Sequence, residues 1–379
     1  MPSFEPHASV QQTSDQLAEV AEVGRLAAEL AACVRRPWTL MEVCGGQTHA
    51  ILRWGLDQLL PPGLRLIHGP GCPVCVTPAA TLEAALALAR RPGVILCSFG
   101  DMLRVPAASG GDLLGARAAG ADVRLLTAPL QALELARRHP DQQVVLLAVG
   151  FETTAPATAL LLRQARDLGI TNLAVLPAHV RVVPAMEAIL ADPANTVQGF
   201  LAAGHVAAVM GTAELAALVR RQQRPVVVAG FGPVELLRGL LACVSMLEAG
   251  TAELVNAYPE VVRAGGNPAA RALLAEVFVP VDAPWRGFGV IPGGGLGLRP
   301  AYARFAASLP EPTIAPASAG AAPVCIAGRI LQGRALPADC PAFGSACTPE
   351  RPLGAPMVSS EGACAAYHRY RRAAVGCRG

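Results

Sequence analysis

Val144-Val145-Leu146-Leu147-Ala148-Val149, followed at once by Gly150-Phe151-Glu152-Thr153-Thr154, decides the fold. An unbroken apolar run rich in β-branched residues reads as a strand buried on both faces, and the glycine-bearing turn after it feeds a helix. Val94-Ile95-Leu96-Cys97-Ser98-Phe99 leads into Gly100-Asp101, and Val226-Val227-Val228-Ala229 into Gly230-Phe231-Gly232-Pro233, in the same way. Ala/Leu-rich helical stretches lie between these runs, so parallel βαβ crossovers are expected from about residue 40 to residue 300. In open sheets of this kind ligands bind at the strand C-termini. The likeness of the three turns points to two related α/β units. The expected division is a helical segment over 1–39, a first α/β domain over 40–125 completed by 284–309, and a second over 126–283. Gln16–Arg35 is the predicted helix of the first segment. Beyond Leu309, Pro310, Pro312, Pro316 and Pro323 read as a linker into a Cys-rich domain over 310–379. The fold class is therefore α/β: two parallel-sheet domains facing a cleft, with a small C-terminal Cys-rich domain.

Composition agrees with this reading and excludes several functions. A chain of 379 residues, 53% hydrophobic and 16% charged, has ample material for large cores. No apolar run reaches the roughly 18 to 20 residues that span a bilayer. The first forty residues lack the basic and apolar regions of a signal peptide, so a cytoplasmic protein is expected. A net charge of +3, dispersed along the chain, gives no nucleic-acid footprint. All 31 basic residues are arginine. Without lysine there is no Walker A phosphate loop and no attachment point for pyridoxal phosphate, biotin or lipoate. No GxSxG nucleophile elbow occurs either.

Eleven cysteines remain, and their distribution is informative. Leu40-Met41-Glu42-Val43 reads as a strand with Cys44 at its end, and Gly45-Gly46-Gln47-Thr48-His49 turns into a helix expected over about 50–60. A thiol just before a helix N-terminus lies in positive potential that favours the thiolate, and His49 is close enough in sequence to share a ligand or proton with it. A buried strand-end cysteine beside a capping turn is the alternative. Gly69-Pro70-Gly71-Cys72-Pro73-Val74-Cys75-Val76-Thr77-Pro78 carries a C-x-x-C pair, with Thr77 and Pro78 expected to open a helix to Ala89. No second C-x-x-C lies nearby to suggest zinc, so a reversible disulfide is favoured over a structural metal. Cys325, Cys340, Cys347 and Cys364 suit either tetrahedral zinc or an iron–sulfur cluster, and spacing does not choose between them. Cys97, Cys243 and Cys33 read as packing residues, and Cys377 lies in a tail.

Several long motifs, in this order, resemble the hydrogenase maturation factor HypD family. They are Cys44-Gly45-Gly46-Gln47-Thr48-His49-Ala50, Gly69 to Pro78 as quoted, and Cys97-Ser98-Phe99-Gly100-Asp101-Met102-Leu103-Arg104-Val105-Pro106. Gly150-Phe151-Glu152-Thr153-Thr154-Ala155-Pro156, Ala203-Gly204-His205-Val206, and Met357-Val358-Ser359-Ser360-Glu361-Gly362 before Cys364 complete the set. Gln47 departs from the pattern, many members having His there.

The resemblance implies a scaffold for the Fe(CN)2CO unit of nickel–iron hydrogenases. HypC would share the iron and serve the hydrogenase large subunit, and HypE would deliver cyanide as a thiocyanate. Cys44 would bind the iron, and Cys72 and Cys75 would form the redox dithiol. Cys325, Cys340, Cys347 and Cys364 would hold a [4Fe–4S] cluster, making 310–379 an iron–sulfur domain, while His49 and Glu361 would assist the chemistry. An electron relay requires this domain to fold back towards the C-x-x-C loop. The alternatives are an iron–sulfur thiol–disulfide reductase, which leaves Cys44 and its glycines unexplained, and a zinc-stapled binding protein. His205, Asp101, Arg104, Glu152 and Thr153 are further residues expected at strand-end turns.

Overall fold

The computed structural model describes residues 10–309 and 324–371, with side chains from Gln16 onward. The proline linker and Cys377 lie outside the described residues. Eleven strands are present among them: β1 Trp38–Glu42, β2 Leu64–His68, β3 Val94–Ser98, β4 Val123–Leu125, β5 Gln143–Gly150, β6 Leu173–His179, β7 Gly199–Ala203, β8 Val226–Ala229, β9 Leu254–Asn256, β10 Phe278–Trp285 and β11 Gly289–Leu298. Two parallel sheets result, ordered β2-β1-β7-β8-β9 and β4-β3-β5-β6, with β10 and β11 forming an antiparallel hairpin.

The expected class is therefore the observed one, but the sheets do not divide at residue 125. β3 pairs with β5 along Val94↔Gln143 to Cys97↔Leu146, across the expected boundary. β1 pairs with β7 along Leu40↔Gly199 to Glu42↔Leu201. The chain starts one sheet, leaves to build the other, and returns. The segment expected to complete the first domain belongs instead beside β6: Val180 bridges to Gly295 and Val175 to Ala306. Strand runs announce burial but not partners, because each apolar strand offers the same hydrogen-bonding edge to any other.

Both sheets place their first strand between their second and third, so each has a switch point where the crossovers diverge. In one the switch lies between β1 and β7, at Cys44 and Gly204-His205. In the other it lies between β3 and β5, at Phe99-Gly100-Asp101 and Phe151-Glu152. This shared order is the relatedness that the similar turns suggested, and such crevices receive ligands. Val144, Val145, Leu146 and Leu147 are fully buried, each stabilising the fold by roughly 1.5–3 kcal/mol.

The first four helices are α1 Val10–Cys33, α2 Gly45–Trp54, α3 Pro73–Val76 and α4 Ala79–Ala89, of which α2 opens directly from the first switch point. α1 begins six residues before its predicted span and ends two residues short of it, and packs on the helix Pro233–Ala249. α2 begins at Gly45 rather than Ala50 and ends at Gly55, whose φ of 71° is left-handed and suits only glycine. Thr77 closes α3 instead of opening α4, which starts after Pro78. The C-terminal lobe contains the short helix Ala327–Leu331, the 3-10 turn Ala355–Met357 and the helix Ala363–Tyr370. That last helix lies on α2, and the 3-10 turn lies on α3.

Candidate functional site

Cys44 caps the N-terminus of α2 in extended conformation, 8% exposed. Its amide donates to Glu42 Oε2 at 2.8 Å. The other carboxylate oxygen accepts from the Thr48 hydroxyl and from His68 Nδ1, the latter at 2.7 Å. Glu42 and His68 are both buried, so this hydrogen-bonded pair fixes the start of α2. Sequence reading passed over Glu42; a lone carboxylate inside an apolar strand was the available signal, since buried charges require partners.

The expected easy ionisation of Cys44 is not what the structure gives. Burial pushes its thiol up to about 12, and the Glu42 and Glu361 carboxylates add to the rise, while the Gln47 and Gly46 amides oppose it too weakly. The helix terminus favours a thiolate, but desolvation outweighs it here. A cationic metal binding at this sulfur must therefore displace a proton.

The C-x-x-C loop is pressed against this cysteine. The Gly45 amide donates to Gly71 O at 3.0 Å, and a Cβ on Gly71 would lie 2.3 Å from the Cys44 nitrogen. Only glycine permits that approach. Cys72 caps α3, its sulfur accepting from the Cys75 amide at 3.2 Å, and Cys72 and Cys75 form a disulfide with Cα atoms 5.2 Å apart. Proline at the first helical position and three residues of spacing bring the sulfurs together on one turn.

Glu361 lies on the opposite side. Its carboxyl packs against Gly45, and burial together with the Asp101 charge raises its pKa. Asp101 belongs to the second sheet's switch point, so the two crevices meet here. Phe231 borders Gly46 and stacks on His205, with ring centroids 3.9 Å apart. His205 thus reaches the same side of the cleft through Phe231. His49 donates from Nδ1 to Ser360 O and accepts at Nε2 from the Tyr370 hydroxyl, both at 3.2 Å. Both ring nitrogens are engaged in docking the last helix. Gln47 is fully buried and spends its amide nitrogen on Ala229 O at 3.0 Å, with Ala202 O and Gly230 O at 3.3 Å. It ties α2 to the ends of β7 and β8. Arg104 holds the C-terminal lobe through Pro349 O and Val358 O, and Glu152 is a buried carboxyl accepting from the Val182 amide.

Cys325, Cys340, Cys347 and Cys364 line one pocket with Ala327, Ile330, Phe343, Gly354, Pro356 and Met357. No carboxylate or imidazole borders it. Among the described residues, no group of three or more His, Cys, Asp or Glu is placed so as to hold a metal ion. Burial, reinforced by the neighbouring thiols, raises the pKa of Cys325, Cys347 and Cys364. The Leu353 amide donates to Cys347 Sγ at 3.3 Å. Four thiols on one apolar pocket wall are a soft donor set, of the kind that suits an iron–sulfur cluster or tetrahedral zinc. Cys97 and Cys243 are fully buried packing residues.

A family model described as "HypD: Hydrogenase formation hypA family" matches residues 21–371. The chain is 48% identical over 366 residues to the hydrogenase maturation factor HypD of Azotobacter vinelandii, covering 94% of this chain and 96% of that one. It is 47% identical to the hydrogenase expression/formation protein HupD of Azotobacter chroococcum, with 94% and 96% coverage. With the HypD of Escherichia coli it shares 44% identity, covering 91% and 92%.

Proposed function

The chain belongs to the HypD hydrogenase formation family, and we propose that it is the scaffold on which the Fe(CN)2CO unit of nickel–iron hydrogenases is assembled. The close approach of the Cys72–Cys75 turn to Cys44 carries this reading: a metal-binding sulfur and a two-electron pair share one crevice. Iron is the cargo. Cys44 binds it on one side and a cysteine of HypC on the other, and HypC carries it onward to the hydrogenase large subunit. Soft thiolates suit iron that carries cyanide and carbon monoxide.

HypE delivers cyanide as a thiocyanate on its C-terminal cysteine. Freeing cyanide breaks the S–C bond with two electrons and leaves a thiol on HypE. Cys72 and Cys75 supply two electrons and two protons and become the disulfide. Cys325, Cys340, Cys347 and Cys364 would hold a [4Fe–4S] cluster, which would pass two electrons, one at a time, from an external electron donor to the disulfide, with two protons from solvent restoring the dithiol. Packing of the 3-10 turn Ala355–Met357 on α3 supports this order of centres. Glu361 and Asp101 line the crevice as polar walls, and His49 holds the C-terminal helix against α2. No helix is long and apolar enough to cross a membrane among the described residues.

The test is infrared spectroscopy of the chain co-purified anaerobically with HypC. Bands from iron-bound cyanide and carbon monoxide are expected, and Cys44→Ala removes them while leaving iron and sulfide at the four-cysteine pocket. Cys364→Ser does the opposite to the sulfide. Full hydrogenase maturation by Cys44→Ala refutes the scaffold reading. A chain without sulfide refutes the cluster.

A further inference from the structure

The tip of the β10–β11 hairpin is wedged between the Cys72–Cys75 turn and the C-terminal lobe. Trp285 is buried, packs on Phe151 with centroids 5.9 Å apart, and donates from Nε1 to Gly294 O at 3.0 Å. Gly287, at φ 87°, sits so close to the helix Ala327–Leu331 that a Cβ there would be 2.9 Å from Gly328 Cα. Gln332 Nε2 donates to Gly287 O. Between these anchors stands Arg286. Its amide donates to Val76 O at 2.8 Å and its Nε to Thr77 O at 2.9 Å, the last carbonyls of the C-x-x-C turn.

Nη2 of the same guanidinium is buried with no hydrogen-bond partner. A buried donor on a charged group is costly to leave unsatisfied. The charge lies close enough to Cys325 to interact with it electrostatically. One side chain therefore touches the dithiol turn, interacts electrostatically with Cys325 of the four-cysteine pocket, follows in sequence the buried Trp285 and precedes the Gly287 that packs on Gly328, and has a buried donor to spare.

We propose that Arg286 is a positioning residue whose fixed positive charge and spare Nη2 donor, held between the Cys72–Cys75 turn and the four-cysteine pocket, make the redox centre in that pocket easier to reduce. The inference rests on the cluster reading above. One-electron reduction adds one negative charge to the pocket, and a half-buried cation that already interacts with Cys325 stabilises that added charge. The effect is strong because the surroundings are apolar.

The test is an anaerobic redox titration of the full chain with mediator dyes, followed by electron paramagnetic resonance, on the unsubstituted protein, Arg286→Gln and Arg286→Lys. Iron and sulfide are assayed in each. Arg286→Gln is expected to lower the reduced-to-oxidised ratio at a given potential at least tenfold, a midpoint about 59 mV more negative for one electron. Arg286→Lys keeps the charge and is expected to recover most of that shift. A ratio within twofold of the parent in Arg286→Gln overturns the proposal, as does an equal shift in Arg286→Lys. Loss of iron and sulfide from both variants also overturns it, since the side chain would then be holding the lobe together. A parent chain without iron or sulfide refutes the cluster reading and this inference with it; a loaded parent indifferent to Arg286→Gln refutes this inference alone.

Discussion

Gly71→Ala tests whether contact between the C-x-x-C loop and Cys44 matters. The new Cβ would lie 2.3 Å from the Cys44 nitrogen, 2.5 Å from its Cα and 2.6 Å from the Val43 carbonyl carbon, where ordinary contact begins at 3.4 Å. All three obstacles are backbone, so no rotamer change relieves them, and the loop must retreat by roughly 1 Å. Retreat lengthens the 3.0 Å bond from the Gly45 amide to Gly71 O beyond useful range. Overpacking costs about 1–3 kcal/mol and the lost bond about 1 more. Urea unfolding should therefore show a loss of about 2–4 kcal/mol. Alkylation of Cys44 should become faster as its cover opens, and hydrogenase maturation should fall. Gly24→Ala is the control: nothing lies within 4 Å of that position inside α1, and the change should stabilise the helix by about 0.5–1 kcal/mol. Parental stability, slow Cys44 alkylation and full maturation in Gly71→Ala together would show that the close approach is incidental.

Glu42→Ala strands the Cys44 amide, the Thr48 hydroxyl and buried His68 together, and should cost about 3–5 kcal/mol by urea unfolding; a loss under about 1 kcal/mol contradicts the structural role given to this carboxylate. Burial raises Glu152 to about 7, so the folded chain keeps a proton that the unfolded chain has released above pH 4.5. Stability should accordingly fall as pH rises from 4.5 towards 7, by roughly 3 kcal/mol in total, and level off above. Glu152→Gln should flatten that stretch of the curve, and an unchanged slope would argue against it. His49→Ala loses two hydrogen bonds to the C-terminal lobe, one of them to the last helix, and Tyr370→Phe loses one, so His49→Ala should be the less stable, by about 0.5–1.5 kcal/mol per bond. Equal stability in all three chains, with maturation lost only in His49→Ala, would give the imidazole a chemical role in place of docking.

The sequence by itself determined the kind of structure and the chemistry available. Fully apolar strands such as Val144–Val149 need cover on both faces, which favours parallel sheets between helices, and a chain without lysine is closed to lysine-borne cofactors while its eleven cysteines offer sulfur. Glycine spacing also located the turns at which Cys44 and the Cys72–Cys75 pair stand. Tertiary structure alone decided which strands pair, because apolar strands are interchangeable until the crossovers between them are packed; β1 took β7 on one edge, far away in sequence, as well as its neighbour β2 on the other. It also decided the ionisation of Cys44. A helix terminus acts over one turn and can be read locally, whereas burial of the sulfur and the charge of Glu361, about 300 residues on in the chain, depend on the whole fold. Glu42, His68, Gly71 and Arg286 became meaningful only there, since each acts through a partner many residues away or through a backbone that sequence patterns do not register.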